Sequence, residues 1–251
     1  RAVLFYGSCL REEKLDGLML DFYLIVSNYR AAYPKRWLAA ANRLIPPNVF
    51  PFEQDGLAAK YAVLSEADFH RLNGPETRNV AVWARFAQPS RLVWVRDEAA
   101  RGKAIAAVAR AAPTLLGSAM NRVGRLRDEL DLWRQAFALT YSAELRAERK
   151  TRAGSVVDAD PDRYRRFTAA ALAAAFPSRS GWTRRRIEGK ALSVARLAKA
   201  SATYAGGVDY IIWKINRHAG TKIELKPWQR RHPLLAAISL LPRLLRSGAI
   251  R

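Results

Sequence analysis

Apolar positions along the chain follow two different rhythms, and the change falls near residue 96. Before it, β-branched and aromatic residues gather in short runs bounded by turn residues. Residues 2–8 and 21–27 read as strands flanking a Gly7-Ser8 turn, and 60–65 (Lys-Tyr-Ala-Val-Leu-Ser) reads as a third. A fourth, 90–95, follows the turn at Pro89. Residues 33–45 read as a helix that stops before Pro46-Pro47, with 46–51 as a loop. Ser65, with Asp68 three residues on, marks the start of another helix. After Arg96, apolar residues recur three and four positions apart, which predicts helices over 97–111, 115–149 and 162–176. Gly154 and the 158–162 segment, which contains Pro161, predict a break between the last two. Ser178-Arg179-Ser180-Gly181 has the composition of a linker.

These elements predict an α/β (α+β) domain over 1–96, an all-helical domain over 97–178 and a basic amphipathic tail over 179–251. No internal repeat is visible. Charge sharpens the last boundary. The chain carries a formal net charge of +21 over 251 residues. Residues 179–251 hold 16 Lys and Arg against three acids, so 73 residues supply +13 of that excess. Such a block is drawn to polyanions, either nucleic acid or an anionic lipid surface.

Within the tail, 190–204 reads as a basic amphipathic helix. Leu192, Ala195, Leu197 and Ala198 are its apolar members, and Lys190, Arg196 and Lys199 its cations. Residues 206–214 read as a loop and helix or a strand, and 233–246 is strongly apolar with cations at its flanks. With Trp213 and Trp228 among the basic segments, this composition suits attachment to a membrane surface, the alternative being a helix docked on the core. Its aliphatic richness argues against nucleic acid as the partner.

The remaining composition mainly excludes. One cysteine, Cys9, leaves no disulfide framework and no Cys-based zinc site, and it reads as a small buried residue. The histidines, at 70, 218 and 232, lack metal-ligand spacing. No run of about 18 apolar residues occurs, and no signal peptide is visible in the chain as given. The chain starts at Arg1 and enters a strand almost at once, which reads as a processed or truncated product.

The first 26 residues carry the chemistry. Gly7 lets the backbone approach a triphosphate with no Cβ in the way. Ser8 and the N–H groups after it can bind phosphate oxygens. Asp21, opening the next strand in Asp-Phe-Tyr-Leu-Ile-Val, is placed to hold the Mg²⁺ that a triphosphate brings. A phosphate-gripping turn beside a metal-binding carboxylate is the core arrangement of nucleotidyltransferases.

Four segments then carry a family resemblance. They are Tyr6-Gly7-Ser8 with Met19-Leu20-Asp21-Phe22; Lys60-Tyr61-Ala62-Val63-Leu64-Ser65; Val82-Trp83-Ala84-Arg85-Phe86 up to Pro89; and Leu139-Thr140-Tyr141-Ser142-Ala143-Glu144-Leu145-Arg146. In order and spacing they resemble the mitochondrial-type phosphatidate cytidylyltransferases, the translocator assembly and maintenance family, over residues 2–150. The resemblance implies a nucleotidyltransferase domain, a winged-helix-like helical domain and a membrane-attached C-terminus. The implied reaction converts CTP and phosphatidic acid to CDP-diacylglycerol and pyrophosphate with Mg²⁺.

By the same resemblance, Asp21, Lys60 and Arg85 are catalytic, and Asp21 and Glu144 hold the metal. Gly7, Ser8, Tyr141, Ser142 and Arg146 bind the nucleotide. The chain departs from the pattern at Met19, where many nucleotidyltransferases carry a second Asp, at Ala62 for Gly, and at Ala143-Glu144 for Gly-Asp. Further metal carboxylates would then come from Asp16, Glu53, Asp55 or Glu144. The expected location is peripheral, on the cytoplasmic face of a bacterial inner membrane or the matrix side of a mitochondrial one. The rival expectations are a nucleotidyltransferase acting on RNA or another phosphorylated acceptor, and a non-catalytic nucleotide- or lipid-binding protein.

Overall fold

The computed structural model describes residues 1–11, 18–124, 127–145, 152–176, 181–203, 216 and 224–231. A five-stranded mixed sheet runs in the order β3-β4-β2-β1-β5. Its strands are β1 (Ala2–Tyr6), β2 (Met19–Val26), β3 (Asn48–Gln54), β4 (Leu57–Ser65) and β5 (Ser90–Val95). Only β2 and β4 pair in parallel; β1 is antiparallel to β2 and β5, and β3 to β4. The fold is mixed α/β, as the sequence pattern predicts.

Register aligns one stripe of side chains across three strands. Ala2 lies opposite Ile25, Leu4 opposite Tyr23 and Tyr6 opposite Asp21, while Asp21 pairs with Lys60, Tyr23 with Ala62 and Ile25 with Leu64. Because side chains alternate faces with period two, all nine point the same way. The apolar end of the stripe is buried beneath α3 (Glu66–Asn73), α4 (Trp83–Phe86) and α5 (Glu98–Ala109). Its polar end is Tyr6, Asp21 and Lys60, and it meets a cavity instead.

Two expectations on the β3 side are corrected. The sequence pattern predicts a loop over 46–51, yet Asn48 to Pro51 belong to β3. Proline has no N–H to donate, and β3 is an edge strand, where a missing donor leaves no inner ladder incomplete. Asp55 and Gly56 then close a two-residue hairpin with positive φ at both (51° and 76°). This Asp-Gly signal extends β4 three residues earlier than its apolar run suggests.

The helices show where periodicity outran its limits. The predicted 115–149 helix is divided into α6 (Ala111–Ala119) and α7 (Glu129–Ala143), the latter started by Asp128, whose carboxylate accepts from Asp131 N at 2.8 Å. A helix, α8 (Arg152–Asp158), forms where a break was expected, and buries Val156 and Val157. The next, α9 (Pro161–Ala173), opens with Pro161 in its first turn and Asp160 capping Arg163 N. Ser65 caps α3 through Asp68 N at 3.1 Å, as its spacing predicts. Two short helices, α1 (Tyr29–Ala32) and α2 (Arg36–Leu44), stand between β2 and β3.

A 22-residue helix, α10 (Trp182–Thr203), packs against α7 and β3. Gly189 makes the close approach to α7 possible, since a Cβ there would run into the Ala143 carbonyl oxygen. Trp182 and Arg185 fix its first turn. The Trp182 indole donates to Ser118 O at 2.8 Å, and the buried Arg185 guanidinium donates to Arg78 O at 2.9 Å beside the Trp83 and Trp182 rings. The core is continuous from Ala2 and Leu4 through Trp133 and Phe137 to Trp182. A short helix, α11 (Pro227–Arg231), ends the described residues. No helix among them is long and apolar enough to cross a membrane. Residues 206–214 and 233–246 and most of the predicted linker lie outside the described residues.

Candidate active site

Cavity-lining side chains come from both halves of the chain. A cavity of about 320 Å³ is lined by Tyr6, Gly7, Ser8, Asp21 and Lys60 from the sheet and its first turn, Arg85 from α4 and Gln88 just beyond it, Tyr141 from α7, and Arg196 and Lys199 from α10. Pro47 closes it on the β3 side. Among the described lining residues Asp21 is the single carboxylate, and it faces four cationic side chains. The surplus of positive charge suits a polyanionic ligand of nucleotide size.

Gly7 sits at φ 98°, a conformation L side chains rarely adopt, just before a single 3-10 turn, Ser8–Arg11. A Cβ at Gly7 would lie 3.1 Å from Asp21 Oδ2, so this glycine also keeps clear the space beside the carboxylate. Parallel register sets Lys60 next to Asp21, with Nζ 2.8 Å from Oδ1. Cys9, beneath this turn, is buried, and its thiol donates to Met19 O at 3.4 Å, which ties the turn to β2.

Arg85 is held from both ends of its environment. It donates to Ala81 O, and its Nη1 lies 3.6 Å from Glu144 Oε1. Burial works against its charge, but the Glu144 carboxylate, then Tyr23, Tyr6 and Asp21, outweigh that and hold the guanidinium well above its ordinary pKa. Tyr6 and Tyr23 are kept as neutral phenols, burial raising both pKa values, with Asp21 adding to the effect at Tyr6.

The far wall is α10. Arg196 Nε donates to Pro46 O at 2.9 Å, and Lys199 Nζ donates to Ile45 O and to Pro47 O, the latter at 2.8 Å. Burial, reinforced by Arg85, depresses the Arg196 pKa. Burial and then Arg196 push Lys199 down to about 7. Arg196 Nη2 is buried without an acceptor among the described residues, a donor that an anion in the cavity would satisfy.

The structure therefore brings together Gly7, Ser8, Asp21, Lys60, Arg85 and Tyr141. Ser142 is not among them: it is exposed, and its hydroxyl turns back to Leu139 O at 2.7 Å. Glu144 is buried against Arg85, behind the lining residues. Arg146 and Asp16 lie outside the described residues, and Glu53 and Asp55 stand exposed on the β3–β4 hairpin. Arg196 and Lys199 were read as part of a tail helix on account of their charge, whereas here they point into the site. The i, i+3 spacing of these cations was the available signal, since it puts them on one helix face.

Among the described residues no three His, Cys, Asp or Glu side chains cluster as a metal site. The donor set still fits one Mg²⁺, an ion commonly held by one or two carboxylates plus substrate phosphates, with Asp21 as the carboxylate. A two-ion cage drawn from the described lining residues alone does not fit. Comparison with known proteins finds no family profile that matches the chain and no curated protein that matches it.

Proposed function

We propose that the chain is a CTP-dependent cytidylyltransferase that acts on phosphatidic acid, or a closely related phospholipid acceptor, at a membrane surface. The observation that carries this reading is that Asp21 and Lys60, at the polar end of one stripe, line the same cavity as the Gly7-Ser8 turn and as Arg85, Arg196 and Lys199. A triphosphate and an acceptor phosphomonoester both need neutralising before one can attack the other. A single carboxylate amid Lys60, Arg85 and Arg196, with Lys199 able to take up a proton, supplies that balance. The four segment resemblances name the two substrates, and the winged-helix-like character of the helical half and the membrane-attached C-terminus belong to the same proposal.

In the reaction, an oxygen of the acceptor phosphate forms a bond to the α-phosphorus of CTP. The bond from that phosphorus to the bridging oxygen breaks, and pyrophosphate leaves with the electron pair. Gly7 lets the backbone reach the β- and γ-phosphates, and Ser8 donates to them. Lys60 and Arg85 neutralise charge on the phosphates, with Glu144 orienting Arg85 from behind. Arg196 and Lys199 hold negative charge on the opposite wall. Tyr6 and Tyr23, fixed as neutral phenols, line the floor without competing for the anion. Mg²⁺, held by Asp21 and the triphosphate, would add electrophilic assistance at the transferring phosphoryl group. Catalysis here is positioning plus charge neutralisation, with no covalent enzyme intermediate.

The test is release of CDP-diacylglycerol and pyrophosphate from CTP and phosphatidic acid in mixed micelles with Mg²⁺. The Asp21→Asn variant is expected to lower turnover by roughly a hundredfold or more, with the fold unchanged by circular dichroism. Wild-type turnover in that variant would remove the role given to Asp21. CTP binding without transfer to phosphatidic acid would move the acceptor elsewhere.

A further inference from the structure

The outer face of α2 combines cations, an indole and an exposed leucine. Lys35, Arg36, Trp37, Ala40, Arg43 and Leu44 are exposed, with Trp37 at 48% and Leu44 at 79%. No aspartate or glutamate occurs from residue 22 to residue 52, a stretch that includes Arg30, Lys35, Arg36 and Arg43.

The inner face is fixed by polar side chains. Buried Asn42 donates to Val63 O at 2.9 Å and accepts from Asn48 N, and the Asn48 side chain donates to Leu38 O at 3.0 Å. Ala39 is the apolar residue buried there. The helix is thus anchored to the sheet by its amides, and anchoring does not call on Trp37 or Leu44. Single exposed apolar residues are ordinary on protein surfaces. Two large ones on a short helix face with three cations and no acid form an interfacial pattern. The C-terminal end of this face lies close to the active site: two residues, Ile45 and Pro46, separate Leu44 from Pro47, which lines the cavity and accepts from Lys199. On α10 the cations Arg196 and Lys199 point into that cavity, so they are not available to a surface partner.

We propose that the α2 face, through Trp37 and Leu44 with Lys35, Arg36 and Arg43, docks on an anionic phospholipid bilayer and sets the cavity mouth at its surface. This deepens the reading of a lipid acceptor and rests on it for its biological sense. It gives membrane contact to a part of the chain far in sequence from the basic tail. The indole and leucine enter the headgroup boundary, and the three cations face lipid phosphates, whose attraction salt screens.

The experiment is co-sedimentation of the full chain with phosphatidylcholine vesicles and with phosphatidylcholine–phosphatidylglycerol vesicles, without nucleotide. Trp37→Ser/Leu44→Ser is expected to lower partitioning onto the mixed vesicles roughly tenfold or more, from loss of two buried apolar side chains. Arg36→Glu/Arg43→Glu is expected to abolish the preference for the anionic mixture, while CTP affinity and melting temperature stay at wild-type values in both variants. Wild-type partitioning by both variants, or a wild-type chain that ignores anionic vesicles, overturns the proposal. So does charge reversal that abolishes RNA binding while vesicle binding persists. Vesicle partitioning is read without turnover, so failure of CMP transfer to phosphatidic acid would refute the reaction and leave this surface to be judged by its own assay.

Discussion

Gly7 and Lys199 show how single residues set the chemistry of the cavity. Gly7→Ala would place a methyl group 3.1 Å from Asp21 Oδ2 on a backbone at φ 98°. A stability loss of roughly 1–2 kcal/mol is expected, with a larger proportional loss of CTP affinity, read by urea unfolding and calorimetry. Lys199 gives a pH signature. An unfolded lysine titrates near its ordinary 10.5, the folded one at about 7. Between those values the unfolded chain binds the proton that the folded chain has released. Stability from this group therefore rises as pH goes up through that window, and its cost is fully felt below pH 7. Relative to Lys199→Met, the wild type should gain on the order of 1 kcal/mol between pH 7 and pH 9, after allowance for solvent screening at a partly exposed group. Parallel urea titrations of the two proteins at both pH values check this.

At the scale of elements, the first half was more legible than the second. Short β-branched runs located β1, β2 and β5, and the Ser65 spacing located α3, because these signals are local. The β3–β4 hairpin was equally local, but Pro51 suggested a loop, and only the edge position of β3 explains why a proline is tolerated there. The spacing of Arg196 and Lys199 puts them on one helix face, but does not say what that face meets. Their place depends on how α10 crosses α7, and that crossing is set by Gly189 and by Trp182 and Arg185 more than a turn away. Gly189→Ala is accordingly expected to push α10 off α7, costing roughly 1–3 kcal/mol as overpacking does. It should weaken CTP binding as well, although residue 189 lines no part of the cavity. Thermal unfolding and nucleotide titration of the same preparation separate this outcome from a purely local change.

Over the whole molecule, the same crossing joins parts of the chain that are far apart in sequence. Arg196 and Lys199 bind carbonyls 150 and more residues earlier, and the apolar core runs from β1 to α10 without interruption. Anything seated in the cavity therefore holds β1, the sheet edge and α10 in one arrangement, and its binding energy is added to the stability of all of them at once. At a hundredfold excess over its dissociation constant, a ligand selective for the folded state contributes about 2.7 kcal/mol, or roughly 5–10 °C in a chain of this size. A dye-based melting panel of nucleoside triphosphates would then rank the bases this cavity accepts before any acceptor is in hand, with CTP expected to shift the midpoint furthest.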